Sequence, residues 1–371
     1  MTADESELRE LRASVREFLG TKSPEEAVRK LMESEPRFDP AVWSQAADQL
    51  RLPGLAIPEE YGGDGFGLVE LGVVLEEMGR ALFCAPFFAT VLLAAQALLA
   101  SGDRDACARL LPGIASGRTT ATLAVAEDHG SWDPAMVSAR AVPDGDGGWT
   151  VRGRKCFVID GTTADLILVV ARTVAGPTLF AVERDATGLA AEPMETLDAT
   201  RAMARLTFDA VPATLVGAEG AGGRIMAKVL DIASVGLAAE QAGGARRCLE
   251  TSADYARVRH QFGRPIGSFQ AVKHKCADML VQVELAEASS REAARLADED
   301  SPDFPVAAAV AHACCSRAYM VAAMENIQVH GGIGFTWEHP AHLYFRRAKS
   351  SQLLFGGAAV YHERLLDRLG I

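Results

Sequence analysis

Apolar positions recur at helical spacing through the first third of the chain, switch to alternation for the next hundred residues, and return to helical spacing up to the C-terminus. Segments 5–19 and 24–32 are amphipathic, segment 39–50 follows with Asp39-Pro40 as its start, and 68–80 is strongly amphipathic. On this last helix Glu76 and Glu77 are expected on the wet face. Pro112-Gly113 and Gly117 end the helical part. Segments 122–125, 136–142, 149–151, 155–158, 166–171, 178–182 and 204–208 then read as short strands between Asp/Gly-rich turns. Long alanine-rich helices resume from Ala221.

This order predicts an α+β protein of three regions: a helical domain over 1–117, a β domain over 118–217 and a helical domain over 218–371, with any ligand where they meet. A chain of 371 residues exceeds one ordinary core, and 49% hydrophobic content with 6% aromatics fits alanine/leucine-rich helical packing. The apolar run 81–100 is the candidate membrane span, but Pro86 divides it and a buried core helix is the better expectation. The acidic start has no apolar signal core, so a cytoplasmic protein is expected.

Forty-nine acids against 37 bases argue against nucleic acid as partner. The seven cysteines include no Cys-x-x-Cys, and His129, His330, His339 and His342 share no metal spacing, so no metal is expected. Against the acidic background, one corner gathers cations. Arg259-His-Gln261-Phe262-Gly263-Arg264-Pro265-Ile-Gly267-Ser-Phe269-Gln270 breaks a helical pattern, and Lys273, His274 and Lys275 follow it. Such a corner is either a phosphate-holding site or a turn with a solvated basic rim.

That segment resembles the flavin-binding signature of the acyl-CoA dehydrogenase family. Gln328-Val-His-Gly331-Gly332-Ile-Gly334-Phe335 is similar to the family's C-terminal glycine motif, and Pro58-Glu-Glu-Tyr-Gly-Gly-Asp-Gly65 to its N-terminal loop. The resemblance spans nearly the whole chain. It implies an N-terminal helical domain, a middle β-barrel-like domain and a C-terminal four-helix bundle, assembled as dimers or tetramers, homomeric or heteromeric. It implies FAD, an acyl-CoA substrate and an electron-transferring flavoprotein as acceptor. Arg259, Gln261, Phe262 and Gln270 match the corner that holds FAD. Gln328, Gly331, Gly332 and Gly334 match the segment that approaches the diphosphate of an adjacent subunit's FAD, where a missing Cβ allows close contact.

Two departures bear on the chemistry. The flavin-ring segment of relatives corresponds to Lys155–Gly161, with Ile159 where a hydroxyl is usual and Phe157 left to stack on a flavin; the same stretch also reads as a plain strand and turn. The position of the usual catalytic glutamate is Phe355, and the alternative position, on the helix before the arginine motif, is Ala233. Glu240 lies two turns further, about 10 Å along the axis, and is the candidate base, the competing readings being an ion pair with a nearby arginine such as Arg246 or a solvent-facing position. Small residues over 233–244 would leave space for a bulky acyl tail. Asp198-Ala-Thr200-Arg201 resembles a family segment and reads equally as a strand-edge pair. The expectation is FAD-dependent α,β-dehydrogenation of an acyl-CoA. The alternatives are a catalytically incomplete subunit of a heteromeric enzyme, and a flavin oxidase or monooxygenase of the same fold.

Overall fold

A computed structural model describes residues 4–145 and 147–371. The chain runs through α1 (Glu5–Lys22), α2 (Glu25–Met32), α3 (Pro40–Leu50), α4 (Leu68–Ala81), a π-helical turn over Phe88–Ala94 continuing as α5 (Ala95–Ser101), and α6 (Arg104–Ala115). Seven strands follow: β1 (Ala121–Ala124), β2 (Arg140–Pro143), β3 (Trp149–Ile159), β4 (Leu166–Thr173), β5 (Gly176–Glu183), β6 (Leu189–Pro193) and β7 (Met203–Val216). After them come α7 (Gly222–Val258), α8 (Gln270–Asp298), α9 (Phe304–His330), α10 (Ala341–Leu353) and α11 (Ala358–Leu369). Two compact units emerge, one of Lys30–Gly67 with Cys84–Ala233, the other of the chain before Lys30 with Leu68–Phe83 and Ser234–Ile371.

In the first unit the strands close on themselves. β4 pairs with β5 along one edge and with β1 and β2 along the other; β2 pairs with β3, β3 with β7, and β7 with β5, so a ring forms with β6 laid on β7. Closure leaves few open edges. β4 is buried at every position except Arg172, as its apolar run predicts. β3 is one strand rather than two, because register shifts at Val151/Gly153 and Lys155/Val158 break the alternation that the sequence pattern relies on. β6 escaped prediction since its edge position leaves four of its five residues exposed and no apolar face. The apolar run before α6 is core: Phe88–Ala94 is buried throughout, and Thr90 Oγ1 bonds the carbonyl of Ala121 at 3.1 Å. Among the described residues the helix long and apolar enough to cross a membrane is instead the segment Phe304–Phe335, 56% buried over its most apolar stretch.

In the second unit α4 and the C-terminal helices pack with glycines at their crossing. A Cβ on Gly79 would sit 1.9 Å from the Glu240 carbonyl oxygen, and one on Gly243 1.8 Å from that of Glu76. The neighbouring Gly244 makes room for the Tyr319 ring, 2.5 Å from where its Cβ would be. At Gly243 and Gly244 the room is therefore taken by neighbouring helices, whereas Gly236 of the same stretch lines a cavity of about 620 Å³. Glu76 and Glu77 are also not on a wet face. They are 6% and 2% exposed, and α1 covers them: Arg12 meets Glu76 at 2.6 Å and Arg16 meets Glu77 at 2.8 Å. Asp298 accepts from the amides of Leu68 and Val69 at 2.6 and 2.9 Å, which holds the start of α4.

Candidate functional site

The cationic corner follows α7. His260–Gln261 and Arg264–Pro265 form a two-residue antiparallel ladder around Phe262 and Gly263, both at positive φ, and a 3₁₀ turn over Ile266–Ser268 leads into α8. Arg259, Gln261, Phe262 and Gln270 are all exposed, Phe262 at 91%. The five cations of this corner have different fates. Arg264 stacks over Phe269 at 4.1 Å from the ring centroid, and Lys275 is paired with Glu325. Among the described residues Arg259 has no ion-pair partner, which leaves its guanidinium for a ligand.

At the end of α9, Gln328, Gly331 and Gly332 are exposed and Gly334 is packed against Ile327 and His330. Nothing lies within 4 Å of a Cβ built on Gly331 or Gly332, and Gly331 has φ +64°. Bare backbone facing open space, with an unpaired guanidinium on the other motif, is a donor set suited to a diphosphate. The inner ends of the two motifs meet: Val258 and His330 line one cavity of about 650 Å³, and the rings of Tyr255 and His330 are 4.4 Å apart. Burial holds His330, His339 and His342 below the ordinary imidazole range. No metal-holding cluster occurs among the described residues.

Glu240 is 5% exposed and its carboxylate meets the Arg347 guanidinium at 2.9 Å, Arg347 being 3% exposed. The partner is Arg347 on α10, not Arg246, which serves Glu284 and Glu287 at 2.6 and 2.7 Å. On α7 next to Glu240, Gln241 is fully buried. Phe355 is 1% exposed at φ +64°. The Glu240 carboxylate is thus held in a buried ion pair with a guanidinium of α10.

In the first unit the segments expected near a flavin ring are stitched together. Cys156 N–H donates to the Ala126 carbonyl at 2.8 Å, Arg154 pairs with Asp128, and the half-buried Phe157, at φ +58°, has its ring 3.6 Å from a Cβ built on Gly130. Ile159 is buried. Asp198 accepts from Thr200 N–H at 3.0 Å, and Arg201, 7% exposed, stacks over Phe88 at 4.6 Å. The pairing of Lys155 with Glu127 at 3.0 Å, with Lys155 0% exposed, was not foreseen. The one sequence signal was a lysine heading the apolar run Cys156-Phe-Val-Ile159.

Family models for the N-terminal, middle and C-terminal domains of acyl-CoA dehydrogenases match residues 5–118, 122–211 and 220–370, and the chain belongs to that FAD-dependent family. It is 37% identical to acyl-CoA dehydrogenase IpdE2 of Mycobacterium tuberculosis over 93% of this chain and 92% of that protein. Among solved structures it is similar to a variant of the Tcur3481-Tcur3483 steroid ACAD (36% identity, TM-score 0.89, 98% of each chain). It is likewise similar to a chain of the ChsE4-ChsE5 complex of Mycobacterium tuberculosis (30% identity, TM-score 0.89, 99% of this chain and 98% of that one).

Proposed function

We propose that this chain is a subunit of a heteromeric acyl-CoA dehydrogenase that contributes FAD-holding motifs while a partner subunit supplies the catalytic base. The observation that carries this is the pair Phe355 and Glu240: one position is a buried hydrocarbon, and the other carboxylate is bound to Arg347. FAD, when bound there, would supply the hydride acceptor for an α,β-dehydrogenation. Arg259, with Gln261, Phe262 and Gln270, would hold the FAD diphosphate, and Gln328 with the backbone at Gly331, Gly332 and Gly334 would approach the diphosphate of an adjacent subunit's FAD. Phe157 would serve as a wall for the flavin ring. An electron-transferring flavoprotein would be the acceptor. The large exposed side chains Phe262, Phe335 and Trp337, at 91%, 74% and 63%, suit a surface that a second chain covers. Two structural relatives named as pairs of proteins support the heteromeric form, and the one named for steroids supports a ring-bearing acyl group. Free thiols at Cys84, Cys107, Cys156, Cys248, Cys276, Cys314 and Cys315 suit a cytoplasmic setting.

The test is to purify the chain alone and co-expressed with a second acyl-CoA dehydrogenase subunit that carries the usual glutamate. FAD content and bleaching of the flavin band by acyl-CoA are then measured. The expected result is bleaching with the pair only, and loss of FAD in the Arg259→Ala pair. Full bleaching by the chain alone would return it to the homomeric enzymes.

A further inference from the structure

Lys155 is entirely buried, a costly position for an ammonium unless it is paired and hydrogen-bonded. It donates to the Val125 carbonyl at 2.9 Å and to Glu127 Oε1 at 3.0 Å. Glu127, 7% exposed, does not depend on Lys155 for its place, because it also accepts from the amides of Ser138 (3.0 Å) and Ala139 (2.9 Å) and from the Ser138 hydroxyl. The carboxylate is thus anchored to the 138–139 side, and the lysine is what ties it to β3. The tie falls one residue before the bulge, where Phe157 holds φ +58°, a conformation a phenylalanine keeps only when its surroundings impose it. Gly153 allows the same approach: its Cβ would lie 2.6 Å from that of Ala139.

We propose that Lys155 is a positioning residue: its buried ammonium locks the 126–131 loop onto β3 and thereby sets the Phe157 ring as the wall for the flavin. The inference rests on the reading that Phe157 faces the flavin ring. It explains how this chain keeps a defined wall with Ile159 where relatives use a hydroxyl. The ring is held by a clamped backbone rather than oriented by a side-chain hydrogen bond to the cofactor.

Lys155→Met removes the tie and leaves Glu127 its amide donors. Two measurements on the full chain test it: hydrogen exchange over 126–139, and the visible absorption of bound FAD in the loaded protein, with its partner subunit where loading requires one. Exchange is expected to quicken by roughly a hundredfold to a few thousandfold, the scale of removing one member of a buried ion pair, and the flavin band is expected to shift. A purely structural role would leave the band in place, so wild-type behaviour in either measurement overturns the proposal. Phe157→Ala, run alongside, separates the two readings. An unshifted band there removes the underlying assignment of Phe157, whereas a shifted band with an unchanged Lys155→Met removes only the role of Lys155. If Lys155→Met does not fold, Lys155→Gln, which keeps a donor for the Val125 carbonyl, takes its place in the same comparison.

Discussion

Glu127 shows how a single side chain here records its surroundings. Burial alone would raise its pKa, but hydrogen bonds from Ser138 and Ala139 and the charge of Lys155 outweigh that and bring it down to about 2. A depressed carboxylate stabilises the fold fully above its ordinary value, 4.5, and loses that contribution as pH falls through about 2. Glu127→Gln is therefore expected to flatten acid unfolding between those two pH values, followed by circular dichroism. A variant with the wild-type acid transition would show that the carboxylate is not held this way. Lys155 moves down, to about 8, because burial penalises its charge more than Glu127 compensates. Neither shift is legible in the sequence, since the two residues are 28 positions apart and nothing in the pattern names Glu127 as the partner.

At the scale of elements, helix identity was readable and helix spacing was not. Capping residues and 3.6-residue periodicity placed α1 to α4 within a few residues of their observed ends. The glycines of α7 were read as room for a substrate because a small residue in a sequence says that space is needed, not what fills it. In the fold, Gly79 and Gly243 let α4 and α7 touch backbone to backbone. Gly243→Ala must push the helices apart or strain them. The expected loss is about 1–3 kcal/mol, the range for overpacking in a core, seen as a lower thermal midpoint. An unchanged midpoint would mean the crossing is looser than its geometry.

For the whole molecule the decisive matter is which chain provides the base. If Glu240 and Arg347 form a structural pair, Glu240→Ala takes the carboxylate away from a buried guanidinium and costs about 3–5 kcal/mol. The double variant Glu240→Leu with Arg347→Met should recover most of it in chemical denaturation. Turnover of the partnered enzyme by Glu240→Gln should then stay near wild type. Abolished turnover with unchanged stability would restore Glu240 as the base.

Family, fold order and cofactor were determined by the sequence alone, because the motifs that carry them are local: a proline-glycine corner, a cation spaced along it, and glycines that bare the backbone all act within a few residues of one another. The fate of the buried charges was decided only by the tertiary structure. Glu76 and Glu77 under α1, Lys155 on Glu127, and Glu240 on Arg347 each look like surface or catalytic groups until a partner from far along the chain arrives. A charge's energy depends on what lies a few ångströms away in space, and linear spacing does not contain that distance.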